Sequence, residues 1–356
     1  MHSSRTFFLI IFFVGCLFPN AFAQLGGSSS FSFVNIDPTA RMGALGTSTM
    51  SSIGRDVSMA YYNPSLHTTE MSNSVMLSYN NYLADINSGY FGFSKTFDSI
   101  GSFSGHIIFT DYGQFDETDV TGKKIGEFYA YDYVFQIGYG NVYKKDPRFT
   151  YGASIKFLYS DYDKYIATAF AVDCGATYHN PEKKFYASLL IRNLGYNAIP
   201  YNVERVDLPF DIQLGISKKL AHNPLRFTMV AHDLQKFNIA YTNTNARNKN
   251  IDLETGQVIY ADAGFGEKVM RHFNFGAELV FSDNFQLRGG YNHQRRKELA
   301  PENIKGAAGF SWGVGIGIKK FTVDYAMVVY FPGIQTNYFT VSKNLSDFRR
   351  AKPENF

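Results

Sequence analysis

The sequence predicts an all-β fold, a 14-stranded transmembrane antiparallel β-barrel with an N-terminal luminal plug segment. Three observations predict it. Beyond about residue 73, apolar and polar residues alternate with period two in one segment after another, which is the signature of strands with two unlike faces. The connections between these segments alternate between short and long, as in barrels with tight turns at one rim and loops at the other. An export leader precedes them. Composition agrees: of 356 residues, 45% are hydrophobic, 17% aromatic and only 18% charged. That is ample apolar matter for a lipid-facing surface, and it excludes a disordered chain. No apolar run reaches the ~18 residues of a spanning helix. A formal net charge of +3 without a basic block argues against nucleic acid as a partner.

Residues 1–23 read as a signal peptide. His2 to Arg5 is a short basic region, Phe7 to Phe18 an apolar stretch too short to cross a bilayer, and Ala21-Phe22-Ala23 a small-x-small cleavage site before Gln24. Val14-Gly15-Cys16 competes as a lipoprotein box, but Phe13 stands where such boxes carry Leu. Cleavage leaves Cys174 as the single cysteine, so no intramolecular disulfide is expected. Residues 24–72 lack strand alternation. Small residues and turn formers dominate, and a polar, helix-capable stretch ahead of a barrel fits best inside the lumen as a plug.

The barrel is expected over 73–345, with strands near 73–82, 88–97, 101–112, 127–140, 148–160, 167–179, 184–194, 208–219, 225–233, 271–282, 285–293, 306–318, 321–331 and 335–344. Residues 346–356 form a tail. Short polar turns fall at Asp98-Ser99, 144–147, 180–183, 221–224, Asp283-Asn284 and Lys319-Lys320, several with the Asn, Asp and Pro of tight turns. Longer loops fill Gly113 to Gly126, Tyr196 to Asp207, Leu234 to Met270 and Gln294 to Lys305. This parity puts the N-terminal segment on the periplasmic side and the 234–270 loop outside. A soluble β-sandwich alternates too. The leader, segments near 10 to 12 residues and Tyr/Phe at segment ends favour the barrel.

Charges within strands carry a further expectation. Lys95, Asp111, Lys156, Asp173, Arg192, Glu278, Arg288 and Asp324 interrupt alternating segments. A basic residue on the lipid face at mid-bilayer costs about 2–4 kcal/mol, so these residues should face the lumen, with Arg41 as a partner from the plug. Those near strand ends are cheap in either direction. Gly313, Gly315 and Gly317 lie on one face of a strand, where they admit a close neighbour or the plug; no phosphate loop follows. The eight His never take a metal-ligand spacing, no Gly-x-Ser-x-Gly turn presents a nucleophile, and Asp116, Glu117 and Asp119 lack the order of a calcium loop. The chain is therefore expected to hold no metal, use no cofactor and carry no catalytic residue.

A family resemblance enters at Ala40-Arg41-Met42-Gly43-Ala44-Leu45-Gly46, Asp56 and Asn63-Pro64-Ser65-Leu66. This pattern is similar to the N-terminal region of the fatty-acid-transporter-like barrels found in the PorV and PorQ proteins of the type IX secretion system of Bacteroidota. Residues 26–33, Ser78 to Ile86 and His272 to Glu278 resemble the PorQ branch. The resemblance implies an outer-membrane anchor that holds a PorZ-like surface protein and works with the PorU sortase and a PorV-like shuttle; PorZ-like proteins recognise anionic lipopolysaccharide. The tail departs from the usual barrel ending with a terminal aromatic in the last strand. Two functional classes stay open: this interaction protein, and a transporter of hydrophobic ligands such as fatty acids. Expected plug residues are Arg41, Asp56, Asn63 and Pro64. The 234–270 loop supplies expected partner contacts in Lys236, Phe237, Ile239, Tyr241, Arg247, Lys249, Ile259 and Tyr260, a mixture of apolar anchors and cations suited to a protein surface.

Overall fold

The computed structural model describes residues 29–51, 54–82, 86–201, 206–240, 249–251, 258–260, 264–282, 284–299, 306–331 and 333–348. The leader lies outside them. Fourteen strands close a barrel. In chain order they are β1 (Ser74–Asn81), β2 (Asn87–Phe97), β3 (Gly101–Thr118), β4 (Lys124–Val142), β5 (Phe149–Tyr162), β6 (Tyr165–Asn180), β7 (Phe185–Ile199), β8 (Asp211–Lys219), β9 (Leu225–Ala231), β12 (Phe273–Ser282), β13 (Phe285–Asn292), β14 (Phe310–Ile318), β15 (Phe321–Phe331) and β16 (Ile334–Asn344); β10 (Lys249–Ile251) and β11 (Val258–Tyr260) pair as a separate hairpin. Neighbours are antiparallel throughout, and β1 closes the ring by pairing with β16 from Ser74↔Asn344 to Asn81↔Asn337. Each strand expected from alternation is one of these fourteen.

The polarity of the wall is inverted relative to a soluble protein. In β3 the residues facing in are Ser102, Ser104, His106, Ile108 and Thr110, while Phe103, Ile107 and Phe109 are exposed. In β14, Trp312 and Ile316 point out and Ser311 and Gly313 point in. An apolar exterior around a polar interior suits lipid outside and a hydrated or protein-filled lumen within. Cys174 also lies exposed on the wall's outside.

Wall height is uneven. β3 and β4 run for 18 and 19 residues, whereas β8 and β9 have 9 and 7. The expected Gly113 to Gly126 loop is therefore corrected: past a register shift between Asp111 and Gln114, with Gly113 at φ +83°, the two strands continue pairing to Thr118↔Lys124. Asp119 Oδ1 caps the hairpin by accepting from Thr121 N at 2.8 Å and Lys123 N at 3.0 Å. The other long loops also contain structure, with helices α3 (Phe265–Arg271) and α4 (His293–Leu299) lying over the same rim. We call this rim the loop end and the opposite one the turn end.

The segment before β1 fills the lumen. It contains α1 (Ala40–Ala44) and α2 (Val57–Tyr62), joined by short 3-10 turns. Its first described residues sit at the loop end, where Ser30 N donates to Asp207 O at 3.0 Å. Its last sit at the turn end, where Ser72 Oγ accepts from Thr96 N at 3.0 Å. The segment thus runs the length of the barrel, from the loop end to the turn end.

The topology is checked by labelling in a Cys174→Ala background. With the turn end facing the periplasm, Lys164→Cys at the β5–β6 turn reacts with an impermeant thiol reagent on intact cells and Lys145→Cys does not. The reverse result inverts the barrel.

Candidate functional site: the luminal plug and the loop-end mouth

The plug is seated by small residues. One side of α1 lies against β14–β16, where Ala40 N donates to Thr340 Oγ1 at 2.9 Å and Ala44 O accepts from Ser311 Oγ at 2.9 Å. Gly46 ends the helix at φ +62°, a left-handed conformation natural to glycine. The wall answers with glycines of its own. A Cβ on Gly290 would lie 2.3 Å from Gly46 N, and one on Gly152 2.3 Å from Pro64 O. Gly313 likewise lies against Ala44, whose Cβ is 2.7 Å from the site of its own missing Cβ. Gly315 faces Asp324 and Arg288, and Gly317 faces Asn284, so only the first of the three glycines admits the plug.

The other side of α1 sends Arg41 into a buried charge cluster. Arg41 Nε lies 3.1 Å from Glu278 Oε1, Arg226 Nη1 3.1 Å from Oε2 and Arg288 Nε 3.3 Å from Oε1. Asp56 approaches Arg41 at 3.5 Å, and Arg288 also bonds Asp324. Glu278 is completely buried. Each carboxylate therefore faces a guanidinium, which offsets the cost of removing six charges from water. Asp56 has a second task, accepting from Ser58 N at 2.9 Å as the N-cap of α2.

A second buried cluster holds α2. Lys156 Nζ lies 2.6 Å from Asp173 Oδ2 and donates to Asn193 Oδ1 at 2.9 Å. A register shift between Val172 and Cys174, with Asn193 at φ +53°, turns both Arg192 and Asn193 inward. Arg192 then stands 4.1 Å over the Tyr62 ring and Lys156 5.6 Å over Tyr61. Below α2, Asn63 Nδ2 donates to Met50 O at 2.8 Å while its Oδ1 accepts from Ser65 N at 3.0 Å. The Asn-Pro-Ser turn is thereby fixed, and Pro64 rests on the glycine wall.

Next to it runs a chain of neutral rings. His67 Nδ1 donates to Pro64 O at 2.7 Å, which assigns the tautomer and leaves Nε2 to accept from Ser104 Oγ at 2.8 Å. Burial pushes the His67 ring down to about 4.

Of the eight strand charges, six face the lumen. Lys95 and Asp111 are the exceptions and share the outward register of Phe91 and Phe109. Both lie near rims, where Lys95 Nζ donates to Asn73 Oδ1 at 2.7 Å and Asp111 Oδ1 accepts from Gly113 N at 2.8 Å. Sequence reasoning passed over Arg226, because a charge one residue into a strand needs no luminal partner. It also passed over His67, whose role depends on contacts with Ser104 and Pro64.

At the loop end a cavity of about 290 Å³ opens between the start of the plug and the wall, lined by Ser29 to Phe33, Tyr112, Tyr162, Tyr201 and Val206. Tyr201 packs on Phe31 and Tyr162 with ring centroids 5.4 Å away in each case. Buried Asp132 accepts from Tyr112 at 2.5 Å, from Tyr162 at 2.7 Å and from Ser160. No cation pairs with it among the described residues. These tyrosines carry no spacing signal, since three different strands and loops supply them.

The expected partner loop is only partly described. Tyr241 and Arg247 lie outside the described residues, and Lys249, Ile259 and Tyr260 are described as backbone of β10 and β11 only. Lys236 follows a turn in which its N donates to Asp233 O at 2.9 Å. Phe237 is 59% exposed and lies 5.8 Å from the ring of Phe265, which is 74% exposed. Ile239 is buried, at 5% exposure, and the exposed ring beside Phe237 is that of Phe265.

No protein-family model matches the chain, and no curated protein matches it. Solved structures do. The toluene transporter TodX of P. putida aligns with a TM-score of 0.50 at 11% identity, covering 87% of this chain and 99% of that one. A Pseudomonas aeruginosa FadL homologue aligns with a TM-score of 0.48 at 9% identity, covering 86% and 98%. At such identity the likeness is one of fold. The chain is a 14-stranded transmembrane antiparallel β-barrel, similar in fold to the toluene transporter.

Two predictions follow from the plug. Arg41→Ala leaves Glu278 with two of its three guanidiniums and Asp56 with none, at a cost of about 3 kcal/mol. It is expected to give bursts of conductance in planar bilayers, whereas the parent barrel stays closed. Acid should act in the same direction. A released His67 titrates near 6.5 and the docked one near 4, so the released plug binds more protons between these values. Docking is at full strength above pH ~6.5 and weakens as pH falls toward 4, by on the order of 3 kcal/mol. In His67→Gln, conductance measured across this range loses that dependence.

Proposed function

We propose that this chain is a sealed outer-membrane anchor whose loop end holds a surface protein, the role implied by its resemblance to the PorQ branch. The partner in that reading is PorZ-like, with the PorU sortase and a PorV-like shuttle in the same assembly. One observation carries it: the plug runs from rim to rim and is tied by two buried charge clusters, so the loop face is what remains for function. With the turn end toward the periplasm, that face lies at the cell surface. Phe237 and Phe265 supply a paired aromatic anchor there, the residue type that dominates binding hot spots.

A second reading, transport of a hydrophobic ligand, is favoured by the mouth cavity and by the name of the toluene transporter among the fold relatives. The fold comparison supports it more directly than it supports anchoring. In that reading the uncompensated Asp132 carboxylate disfavours an anionic head group, and a neutral ligand suits the tyrosine-lined cavity better than a fatty acid.

The two readings separate in one experiment. Under anchoring, Phe237→Ser with Phe265→Ser leaves insertion and heat-modifiable migration intact but releases the surface partner into the medium, and liposome uptake of toluene is absent in parent and variant alike. Under transport, Tyr201→Ala changes that uptake and surface attachment stays normal. Retention of the partner by the double variant removes this assignment of the docking residues.

A further inference from the structure

Five Lys-Lys pairs occur in the chain. One, Lys123-Lys124, lies at the loop end, where Lys124 Nζ is neutralised by Asp116 at 2.7 Å and Glu127 at 2.5 Å. The other four, Lys144-Lys145, Lys183-Lys184, Lys218-Lys219 and Lys319-Lys320, all fall at the turn end. Two of these pairs are brought together on adjacent strands by register. Lys218 is opposite Phe185 on one side and Phe227 on the other, Lys219 N donates to Lys184 O at 3.1 Å, and Lys218 Nζ donates to Lys183 O. No carboxylate pairs with any of these four lysines among the described residues, and Glu182 is the one acid in their turn.

Directly beside this group the outer wall carries an apolar crevice of about 170 Å³. Phe185, Ile216, Phe227, Met229 and Phe275 line it, with Lys218 at its edge. Register explains the neighbourhood: Ile216, Met229 and Phe275 form one outward row across β8, β9 and β12, and Phe185, Lys218 and Phe227 form the next row toward the turns. The strands are at their shortest here, so the lysines stand within a few residues of the crevice. An apolar slot on the lipid face of a barrel, ending at Lys183, Lys184 and Lys218, has the two chemistries of a charged lipid in the right order.

We propose that this is a binding site for an anionic phospholipid, with one acyl chain in the crevice and the headgroup phosphate on Lys183, Lys184 and Lys218. The inference is independent of whether the barrel anchors or transports. Phospholipid follows from the turn end, which lies in the periplasmic leaflet in the orientation given above. A lysine beside a negatively charged headgroup favours it, so even partial engagement of the group gives a marked preference for negative lipid.

Native mass spectrometry of the full-length, detergent-purified barrel offered equal phosphatidylglycerol, phosphatidylcholine and lipopolysaccharide tests it. The parent should retain a single phosphatidylglycerol with a preference of roughly tenfold or more. The combined variant Lys183→Gln, Lys184→Gln, Lys218→Gln should lose that preference. A Lys144→Gln, Lys145→Gln control should keep it. Met229→Trp, which fills the crevice and leaves every lysine in place, should lose retention of the single lipid and provides the test if the combined variant does not fold by heat-modifiable migration. Equal retention of both phospholipids by the parent overturns the proposal. So does unchanged retention in Met229→Trp, a control that loses the preference, or preferential capture of lipopolysaccharide over phosphatidylglycerol.

Discussion

A closed wall of fourteen strands encloses more lumen than its own side chains fill. In a smaller barrel, inward residues meet across the axis and the core is complete. Here a separate stretch of chain occupies the space, and inward-facing polar groups find partners both on the wall and on that stretch. The buried Glu278 carboxylate states the requirement most sharply. It lies on a wall strand, and its guanidinium partners come from two other wall strands and from α1 of the plug. Without the plug, Arg41 is lost and Glu278 keeps two guanidinium partners.

Steric and electrostatic terms divide the work of holding the plug. Glycines and alanines set the distance, because α1 and the Asn63-Pro64 turn touch wall backbone where a single Cβ on Gly290 or Gly152 would collide. Charges and cation-ring contacts set the register, since Arg41 and the Tyr61-Tyr62 pair each have one place on the wall where their partners converge. The β6–β7 bulge belongs to the same design: by turning two successive residues inward, it brings Arg192 and Asn193 to the plug from one strand. These contacts hold the plug against the wall from one rim to the other.

The two rims differ in chemistry. The loop end carries tyrosines, short helices and the exposed Phe237 and Phe265 rings, a surface suited to a protein or a small apolar molecule. The turn end carries paired lysines beside outward phenylalanines, as a charged headgroup layer over acyl chains favours.

Much of this was legible in the chain itself. Period-two alternation located all fourteen strands, because an apolar exterior and polar interior leave a mark at every second residue. Turn chemistry separated the rims, and the cost of charge on a lipid face sent six of eight strand charges inward. The two exceptions, Lys95 and Asp111, lie where the bilayer no longer enforces the rule. What only the tertiary structure decided is which distant residues meet. Arg41 and Glu278 are separated by 237 positions, the Asp132 hydroxyl nest draws on three segments, and Lys184 and Lys219 become neighbours through strand register. Local pattern determines which way a side chain faces, because facing depends on strand pleat and solvent alone. Its partner depends on closure of the ring and on the path of the plug, and neither leaves a periodic mark.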